Sequence, residues 1–177
     1  MSIRPWKILE SSYLRKKIRL DRCELANGKI FEPIVFEFQN WVAVLALTKN
    51  QEVLLIRQYR HGVQDVIWEL PGGVVDNGES PLEGAKRELL EETGYTTDKM
   101  VEVGKSFPNP ATQTNVMYAF LALDAEKIDI QHLEDAEEIE VCPVPLEEAI
   151  RMAKKGEFSA LQVAVLFYAL AYMNRIH

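Results

Sequence analysis

Six acidic side chains fall in the short stretch from Leu70 to Tyr95, namely Asp76, Glu79, Glu83, Glu88, Glu91 and Glu92. The last three are spaced i, i+3 and i+4, so a helix would carry Glu88, Glu91 and Glu92 on one face. Like charges at this spacing repel, and anions near a helix C-terminus oppose the helix dipole. The arrangement therefore indicates a bound cation, and clustered carboxylates suit magnesium or manganese. The alternative is an acidic helix face that is only solvated.

The residues around these glutamates predict the helix itself, over Pro81 to Thr93. Ser80 can cap its N-terminus, proline is favoured at the first helical position, and Glu83 completes a capping box. Gly94 can end the helix in a left-handed conformation. Leu82, Ala85 and Leu89 form an apolar stripe that can pack on a sheet.

A glycine-containing loop precedes the helix. The Pro71-Gly72-Gly73 sequence permits a sharp turn and leaves a backbone carbonyl accessible, and Asp76-Asn77-Gly78 is a second turn signal. A strand, a glycine loop and an acidic helix are thus expected in direct succession.

The remaining pattern is rich in strands and shows no regular alternation of strand and helix, which favours an α+β fold. Asn27-Gly28 predicts a β-hairpin between Ile18 and Phe38. Further strands are predicted at Trp41–Leu47, Val53–Tyr59, Ile67–Leu70, Val74–Val75, Met100–Ser106, Val116–Ala122 and Ile139–Pro143. Two more helices are predicted at Leu146–Lys155 and Ala160–Asn174.

Composition limits the possible partners and compartments. The 177 residues carry a net charge of −7, which argues against non-specific binding to nucleic acid or to an anionic membrane. The two cysteines, Cys23 and Cys142, are expected to be reduced thiols. No signal-peptide-like segment follows the N-terminal residues, and the apolar run from Ala160 to Met173 is too short to cross a bilayer. A cytoplasmic protein is expected.

The loop and helix together resemble the Nudix box of the Nudix hydrolases. Gly73 is followed after five residues by Glu79, and after seven more by the run Arg87–Tyr95. Every charged and glycine position of that pattern is matched. Tyr95 alone departs, where an aliphatic residue is usual, and its role there would be packing.

The resemblance implies roles for the box residues. Glu88, Glu91 and Glu92 would be metal ligands together with the Gly72 carbonyl, and Glu92, Glu88 and Arg87 would serve catalysis. Arg87 would orient the glutamates, Glu79 would brace the loop against the helix, and Gly73 would be structural. A pyrophosphate substrate is highly anionic, and bound magnesium, or manganese in its place, would stabilise charge that develops on it.

A looser similarity outside the box points to the branch that hydrolyses ADP-ribose and other nucleoside diphosphate sugars. It involves Trp6–Pro33, Val53–Arg60, Trp68–Gly73 and Pro110. The fold implied is an α+β Nudix fold with a mixed sheet packed between helices, an α/β/α sandwich, after an N-terminal β-hairpin extension. Residues 1–40 would form that β-strand and hairpin segment, and residues 41–177 the Nudix domain. A homodimer that forms through the hairpin segment is expected by resemblance.

A general base is expected on the acidic loop from His132 to Val141, because this branch often takes its base from a loop outside the box. Glu137 is the first candidate and Glu138 the next. A carboxylate on a flexible loop suits a base that closes over substrate. The alternative is a loop that is acidic only because it is solvated.

Substrate-binding candidates lie on several other segments. Arg60 and Arg57 could bind phosphate, although three residues apart on a strand they should not face the same way. Trp6 and Trp41 could stack on a base or belong to the core. Asn115 ends a polar stretch that could contact the sugar or simply form a turn.

The expected function is metal-dependent hydrolysis of a nucleoside diphosphate sugar, with ADP-ribose giving AMP and ribose 5-phosphate. GDP-mannose or another sugar nucleotide is the nearest alternative. A non-catalytic nucleotide sensor is a third reading, but such domains usually lose box glutamates, and this sequence retains them.

Overall fold

The computed structural model describes residues 7–133 and 137–174. The chain divides into two compact units. The first comprises Met1–Gln39 with Phe107–Val116, and the second comprises Asn40–Ser106 with Met117–His177. The second unit carries the acidic helix.

The first unit is a small antiparallel sheet centred on β2 (Ile18–Glu24). This strand pairs with β1 (Lys7–Arg15), β3 (Ile30–Phe31) and β4 (Ile34–Phe36). The predicted hairpin is present, and Gly28 in its turn has a φ of 77°, which favours glycine. The sequence did not predict the bounds of β1. All nine of its residues are exposed, so the strand has no buried face to produce an alternating apolar pattern.

A buried carboxylate lies on β2 in this unit. Asp21 accepts hydrogen bonds from Ser11 Oγ at 2.6 Å and from Arg19 Nε at 2.8 Å. The bond from Arg19 is the main reason that the pKa of Asp21 lies below its usual value. Arg19 also pairs with Glu37. The small sheet therefore contains a buried carboxylate, Asp21, whose charge is paired with that of Arg19.

Over its described residues, the second unit contains seven strands and three helices. The strands are β5 (Trp41–Thr48), β6 (Glu52–Arg60), β7 (Asp65–Glu69), β8 (Tyr95–Thr96), β9 (Lys99–Ser106), β10 (Met117–Lys127) and β11 (Ile139–Pro145). The helices are α1 (Pro81–Thr93), α2 (Leu146–Lys154) and α3 (Ala160–Tyr172). The order in the sheet is β11-β6-β5-β10-β8, with β7 beside β6 and β9 beside β10. The pair β5 and β10 is parallel, whereas β6 pairs antiparallel with β11, so the sheet is mixed.

Strand β5 shows how the sheet lies between helices. Val42, Val44 and Ala46 belong to one apolar cluster with residues of α1, whereas the alternate residues of β5 belong to a second cluster with residues of α2 and α3. Side chains alternate between the faces of a strand, so the two clusters cover opposite faces of the sheet. The predicted α+β class, with a mixed sheet between helices, is confirmed.

The predicted element bounds differ from the observed ones mainly at short strands. The predicted strand Val74–Val75 is an isolated bridge from Val74 to Trp41, because the glycine loop already runs beside β5. The two-residue strand β8 was not predicted. No helix within residues 7–133 and 137–174 has the length and apolar character needed to span a membrane. Both cysteines are free thiols.

Candidate active site

The glycine loop runs alongside the start of β5 and faces α1. The carbonyl oxygens of Pro71 and Gly73 accept hydrogen bonds from Val44 and Val42 N–H at 2.8 and 2.9 Å. By strand alternation the N–H and carbonyl of Gly72 face the other way. The Gly72 N–H donates to Glu92 Oε2 at 2.7 Å. The backbone of Gly72 therefore faces the acidic helix.

Gly73 allows a close approach of the helix. A Cβ atom built on Gly73 would lie 2.4 Å from Glu88 Oε1, which is shorter than any ordinary contact. Since glycine has no side chain, the Glu88 carboxyl can lie directly against the loop.

Helix α1 begins and ends as its sequence predicts. Ser80 Oγ accepts from Glu83 N–H at 3.3 Å, and the Glu83 carboxylate accepts from Ser80 N–H at 2.8 Å, so the capping box is complete. Gly94 has a φ of 75°, and a Cβ there would lie 2.2 Å from the Asp129 carbonyl oxygen. These caps fix the helix, and with it the positions of its glutamates.

Arg87 joins the carboxylates of the box. Its Nε donates to Glu79 Oε1 at 3.0 Å, and its Nη1 donates to Glu88 Oε1 at 2.9 Å and to Glu91 Oε2 at 3.0 Å. Its Nη2 donates to the Val74 carbonyl at 3.0 Å. The bond from Arg87 is the main cause of a lowered pKa at Glu79. The guanidinium thus links the loop to the helix.

Two glutamates of the box, Glu88 and Glu92, are buried, and at Glu88 the effect of burial on the pKa exceeds that of the paired Arg87. Burial raises the pKa of Glu88, and it raises the pKa of Glu92, which is only 3% exposed, to about 8. The charges of Glu88 and Glu137 raise the pKa of Glu92 further, while the Gly72 N–H and Arg60 oppose the shift. The site therefore needs additional positive charge to hold both carboxylates ionised.

This need fits a divalent cation. The available ligands are hard oxygen atoms, namely the carboxylates of Glu88, Glu91 and Glu92 and the carbonyl of Gly72. Within the described residues, no three acidic, histidine or cysteine side chains already converge as a ligand group. Arg87 holds Glu88 and Glu91, while the Gly72 N–H holds Glu92. The donor chemistry and the deficit of positive charge therefore fit the metal, although the carboxylates are held separately.

A cavity of about 460 Å³ opens beside the glycine loop. Its walls come from the first residues of β5, from the loop and from the starts of β10 and α3, and they include Trp41, Gly72, Gly73 and Met117. Arg60 and Glu69 also line it, and Arg60 Nε donates to Glu69 Oε2 at 2.9 Å. Of the predicted substrate residues, Trp41 and Arg60 therefore lie at the cavity.

Arg57, another predicted substrate residue, does not line the cavity. Arg57 pairs with Glu140 at 3.3 Å, and its guanidinium lies 5.2 Å from the ring centre of Trp68. Asn115 belongs to the first unit and is 1% exposed, and its side-chain amide has no partner within the described residues. Trp6 lies outside the described residues.

The segment that precedes the candidate base is fastened to the end of α1. Gln131 Nε2 donates to the carbonyl of Glu92 at 2.7 Å and to that of Ile139 at 3.1 Å. His132 N–H donates to the Glu91 carbonyl at 2.8 Å. Glu137 is close enough for its charge to raise the pKa of Glu88 and of Glu92. The first-choice base therefore lies near the box glutamates.

Three residues near the site were not identified from the sequence. Glu69 pairs with Arg60, Gln131 holds the segment after β10, and Gln162 accepts a hydrogen bond from Leu70 N–H. The signal for Gln162 was available, because it interrupts the apolar run of α3. Glu69 and Gln131 gave no such signal, since polar residues are ordinary at strand ends and in loops.

Comparison with known proteins agrees with this geometry. The NUDIX domain family model matches residues 38–164. The chain is 32% identical over 152 residues to the ADP-ribose pyrophosphatase of Bacillus subtilis (strain 168), covering 85% of this chain and 80% of that protein. It is 28% identical over 182 residues to a GDP-mannose pyrophosphatase of Salmonella paratyphi B, covering 97% and 93% of the two chains.

A solved structure shares the fold across nearly the whole chain. The crystal structure of an ADP compounds hydrolase superposes with a TM-score of 0.85 at 23% identity, covering 99% of this chain and 100% of that one. The family match spans most of the chain and includes the whole loop and acidic helix. The chain therefore belongs to the Nudix family, and it is a Nudix hydrolase.

Proposed function

We propose that this enzyme hydrolyses the pyrophosphate bond of a nucleoside diphosphate sugar, with ADP-ribose as the preferred substrate and AMP and ribose 5-phosphate as the products. The observation that carries the proposal is that the glycine loop, which lies against the buried Glu88 and Glu92, also lines the cavity that contains Arg60. The relative with the higher identity of the two pyrophosphatases, an ADP-ribose pyrophosphatase, supports the choice of substrate.

Nudix hydrolases generally need a divalent metal, and we propose Mg²⁺ for this one, with Mn²⁺ as a possible substitute. Glu88, Glu91, Glu92 and the Gly72 carbonyl would hold it. When bound, the cation polarises phosphoryl oxygens and lowers the pKa of an attacking water. Arg87 keeps Glu88 and Glu91 in place through the two hydrogen bonds from its Nη1.

The remaining chemistry is assigned to side chains of this chain. Arg60 binds a phosphoryl oxygen with its guanidinium, which matches phosphate geometry. The Glu137 carboxylate accepts the proton of the water that attacks phosphorus, and the bridging P–O bond breaks to leave two phosphomonoesters. Support for Glu137 comes from its electrostatic effect on Glu88 and Glu92.

GDP-mannose is the second candidate substrate. The GDP-mannose pyrophosphatase relative is less identical but aligns over 97% of this chain, compared with 85% for the ADP-ribose pyrophosphatase. Both activities would use the same box residues. They would differ in the groups that contact the base and the sugar.

A substrate panel tests the proposal. Phosphate release would be measured through a coupled phosphatase from ADP-ribose, GDP-mannose, ADP-glucose, UDP-glucose, NADH and diadenosine polyphosphates, with magnesium and with excess chelator. We expect magnesium-dependent turnover that favours ADP-ribose. A preference for GDP-mannose would correct the substrate, and turnover that persists in chelator would contradict the metal assignment.

The candidate base has its own test. Glu137→Gln is expected to reduce kcat by roughly 10²-fold, since a positioned general base typically contributes 10²–10⁴-fold. Glu138→Gln is the matched control, because it makes the same change one residue along the loop. Full activity in the Glu137 variant with a loss in the Glu138 variant would move the base to Glu138.

We also propose that residues 1–40 form a dimerising segment and residues 41–177 the catalytic domain, and that the enzyme is a homodimer. All nine residues of β1 are exposed, and large apolar side chains are exposed across the first unit. They include Ile8, Leu9, Tyr13, Leu14, Ile30, Phe31, Ile34 and Phe38. Exposed apolar surface of this kind is typical of an interface between proteins.

Light scattering on the purified protein tests the dimer. We expect a mass twice that of one chain, and dissociation when Leu14 on β1 is replaced by glutamate. Lys16→Glu, in the turn between β1 and β2, introduces a carboxylate next to the strand and serves as the control. A monomeric wild-type protein would contradict the proposal without affecting the assignment of the reaction.

A further inference from the structure

Gln162 is an unusual residue in its helix. The α3 helix contains no charged side chain, and Gln162 is its one carboxamide. The residue is only 9% exposed. A polar side chain that is buried in an apolar helix needs hydrogen-bond partners to offset the loss of water.

One half of the carboxamide is used within the protein. Gln162 Oε1 accepts from the Leu70 N–H at 3.2 Å, directly before the glycine loop. A backbone N–H can donate only to the carboxamide oxygen. This hydrogen bond therefore identifies the other terminal atom of the side chain as Nε2. Within the described residues, the Nε2 group donates to no acceptor. Gln162 lines the cavity, so the NH₂ group is the hydrogen-bond donor that it offers there.

The surroundings suit a ring-shaped group. Trp41, Met117 and Leu161 give the cavity apolar walls, while Arg60 and the glycine loop mark the side where a diphosphate would bind. Apolar walls with a few fixed polar groups are typical of a small-molecule site, in which the polar groups select the ligand. Gln162 is held in place by Leu70 and by the hydrogen bond from its own N–H to Ser159 Oγ.

We propose that Gln162 is a specificity residue. One of the two groups joined by the diphosphate, the nucleoside or the sugar, occupies this cavity and accepts a hydrogen bond from Gln162 Nε2 through an oxygen or ring nitrogen. This inference rests on the proposed function for the class of ligand. Base and sugar both carry such acceptors, and the experiment separates them.

The test measures binding of each half of the substrate, without turnover. Affinities of AMP, GMP, ribose 5-phosphate and mannose 1-phosphate would be measured by calorimetry for the wild type, Gln162→Met and Gln162→Glu. Methionine keeps the length of the side chain but loses both polar groups. Glutamate keeps an oxygen for Leu70 N–H, loses the amide donor and adds a negative charge, so its selective effect on one half also decides the question if the methionine variant does not fold.

We expect the half that occupies the cavity to bind roughly 3- to 10-fold more weakly to the methionine variant, as loss of one neutral hydrogen bond predicts. The other half should bind as before. In the glutamate variant, charge repulsion should weaken the binding of both phosphorylated halves. The half that occupies the cavity should lose more affinity than the other. Gln58→Met is the matched control, because Gln58 is another buried amide of the second unit that does not line the cavity.

Three results would overturn the inference. The wild type could bind none of the four compounds, or both variants could bind both halves with unchanged relative affinity. Weaker binding in the methionine variant with no selective effect in the glutamate variant would assign Gln162 a structural role through Leu70. If a half responds as expected although no sugar nucleotide is hydrolysed, the subsite stands and the proposed function fails.

Discussion

Helices α1 and α3 have the same length, but α1 buries charged side chains whereas α3 leaves apolar side chains exposed. Each has 13 residues, each begins after a serine, and they pack on opposite faces of the same sheet. Helix α1 buries two glutamates, whereas α3 exposes Val163 and leaves Phe167 56% exposed. Burial of carboxylates costs free energy, and exposure of Phe167 gives up the stabilisation that burying its ring would provide. The chemistry of the site explains the buried carboxylates of α1, but it does not explain the exposed ring of α3.

The difference shows where function departs from the rules of stability. The acids of α1 gain little from the fold, because Glu88 and Glu91 share one guanidinium, which also bonds Glu79 in the preceding loop. The apolar residues of α3 instead stabilise the sheet on their buried side, with the cavity-lining Gln162 as the exception. Substitutions of the buried glutamates on α1 should therefore affect activity more than stability, and the reverse should hold for the buried residues of α3 outside Gln162.

The largest effect is expected from Glu92→Gln. Glutamine keeps an oxygen for the Gly72 N–H but removes a buried charge and one of the proposed metal ligands. We expect kcat to fall roughly 10²-fold or more. The metal-free protein should unfold at the same or a higher urea concentration, because the burial of a carboxylate near Glu88 is relieved.

The control for this variant is Glu83→Gln, the same change on the exposed first turn of α1. Glutamine also completes a capping box, so both activity and stability should remain close to those of the wild type. Normal turnover in the Glu92 variant would contradict the site assignment. A large loss of stability in chelator would contradict the contrast between the helices.

Arg87→Lys should have the next largest effect. Lysine cannot bind Glu79, Glu88 and Glu91 at once, because its ammonium group lacks the planar fork of arginine. We expect the free energy of unfolding to fall by about 1–3 kcal/mol and the magnesium concentration for half-maximal activity to change. Urea titration and a magnesium titration of activity would measure the two effects.

Arg151→Lys on α2 is the control for that change. Arg151 pairs with Glu148 on an exposed helix face, where an ion pair contributes about 0–1 kcal/mol. Equal losses of stability in the two variants would mean that Arg87 does no more than an ordinary surface arginine.

The sequence predicted most of α1 and its surroundings, because the determinants are local. The capping box at Ser80 and Glu83, the left-handed Gly94 and the spacing of the glutamates are all readable within a few residues. The bounds Pro81–Thr93 agree with the structure. The sheet class was predictable for the same reason, since alternation and turn residues are local signals.

Long-range contacts could not be predicted in this way. Gln131 reaches the Glu92 carbonyl, and Gln162 reaches Leu70, across 39 and 92 residues of sequence. The separation of Arg57 from the cavity follows from strand alternation, but its contact with Trp68 depends on the pairing of β6 with β7. Polar side chains that bind distant backbone groups carry no periodic pattern, so a single sequence does not reveal their partners.

The capping serines offer a smaller test of the comparison. Ser80→Ala removes one bond of a reciprocal pair and should lower the free energy of unfolding by about 1 kcal/mol. Ser159→Ala removes the single hydrogen bond from Gln162 N–H to Ser159 Oγ, which is 3.4 Å long and belongs to no reciprocal pair. This change should therefore lower the free energy of unfolding by less than the change at Ser80. Urea unfolding of both variants measures the difference. A greater loss at Ser159 would mean that α3 depends more on its cap than α1 does.

The smallest effect is expected from Phe167→Gln on the exposed side of α3. The Phe167 ring is more than half exposed and touches the Tyr168 ring at a centroid distance of 5.9 Å. We expect the free energy of unfolding to change by less than about 1 kcal/mol, because exposed positions contribute little packing. Leu166→Ala, at the buried neighbouring position, should cost about 2–5 kcal/mol in the same urea titration. A comparable loss at Phe167 would mean that this side of α3 is covered in solution, and the apolar residues of α3 would then be explained by burial after all.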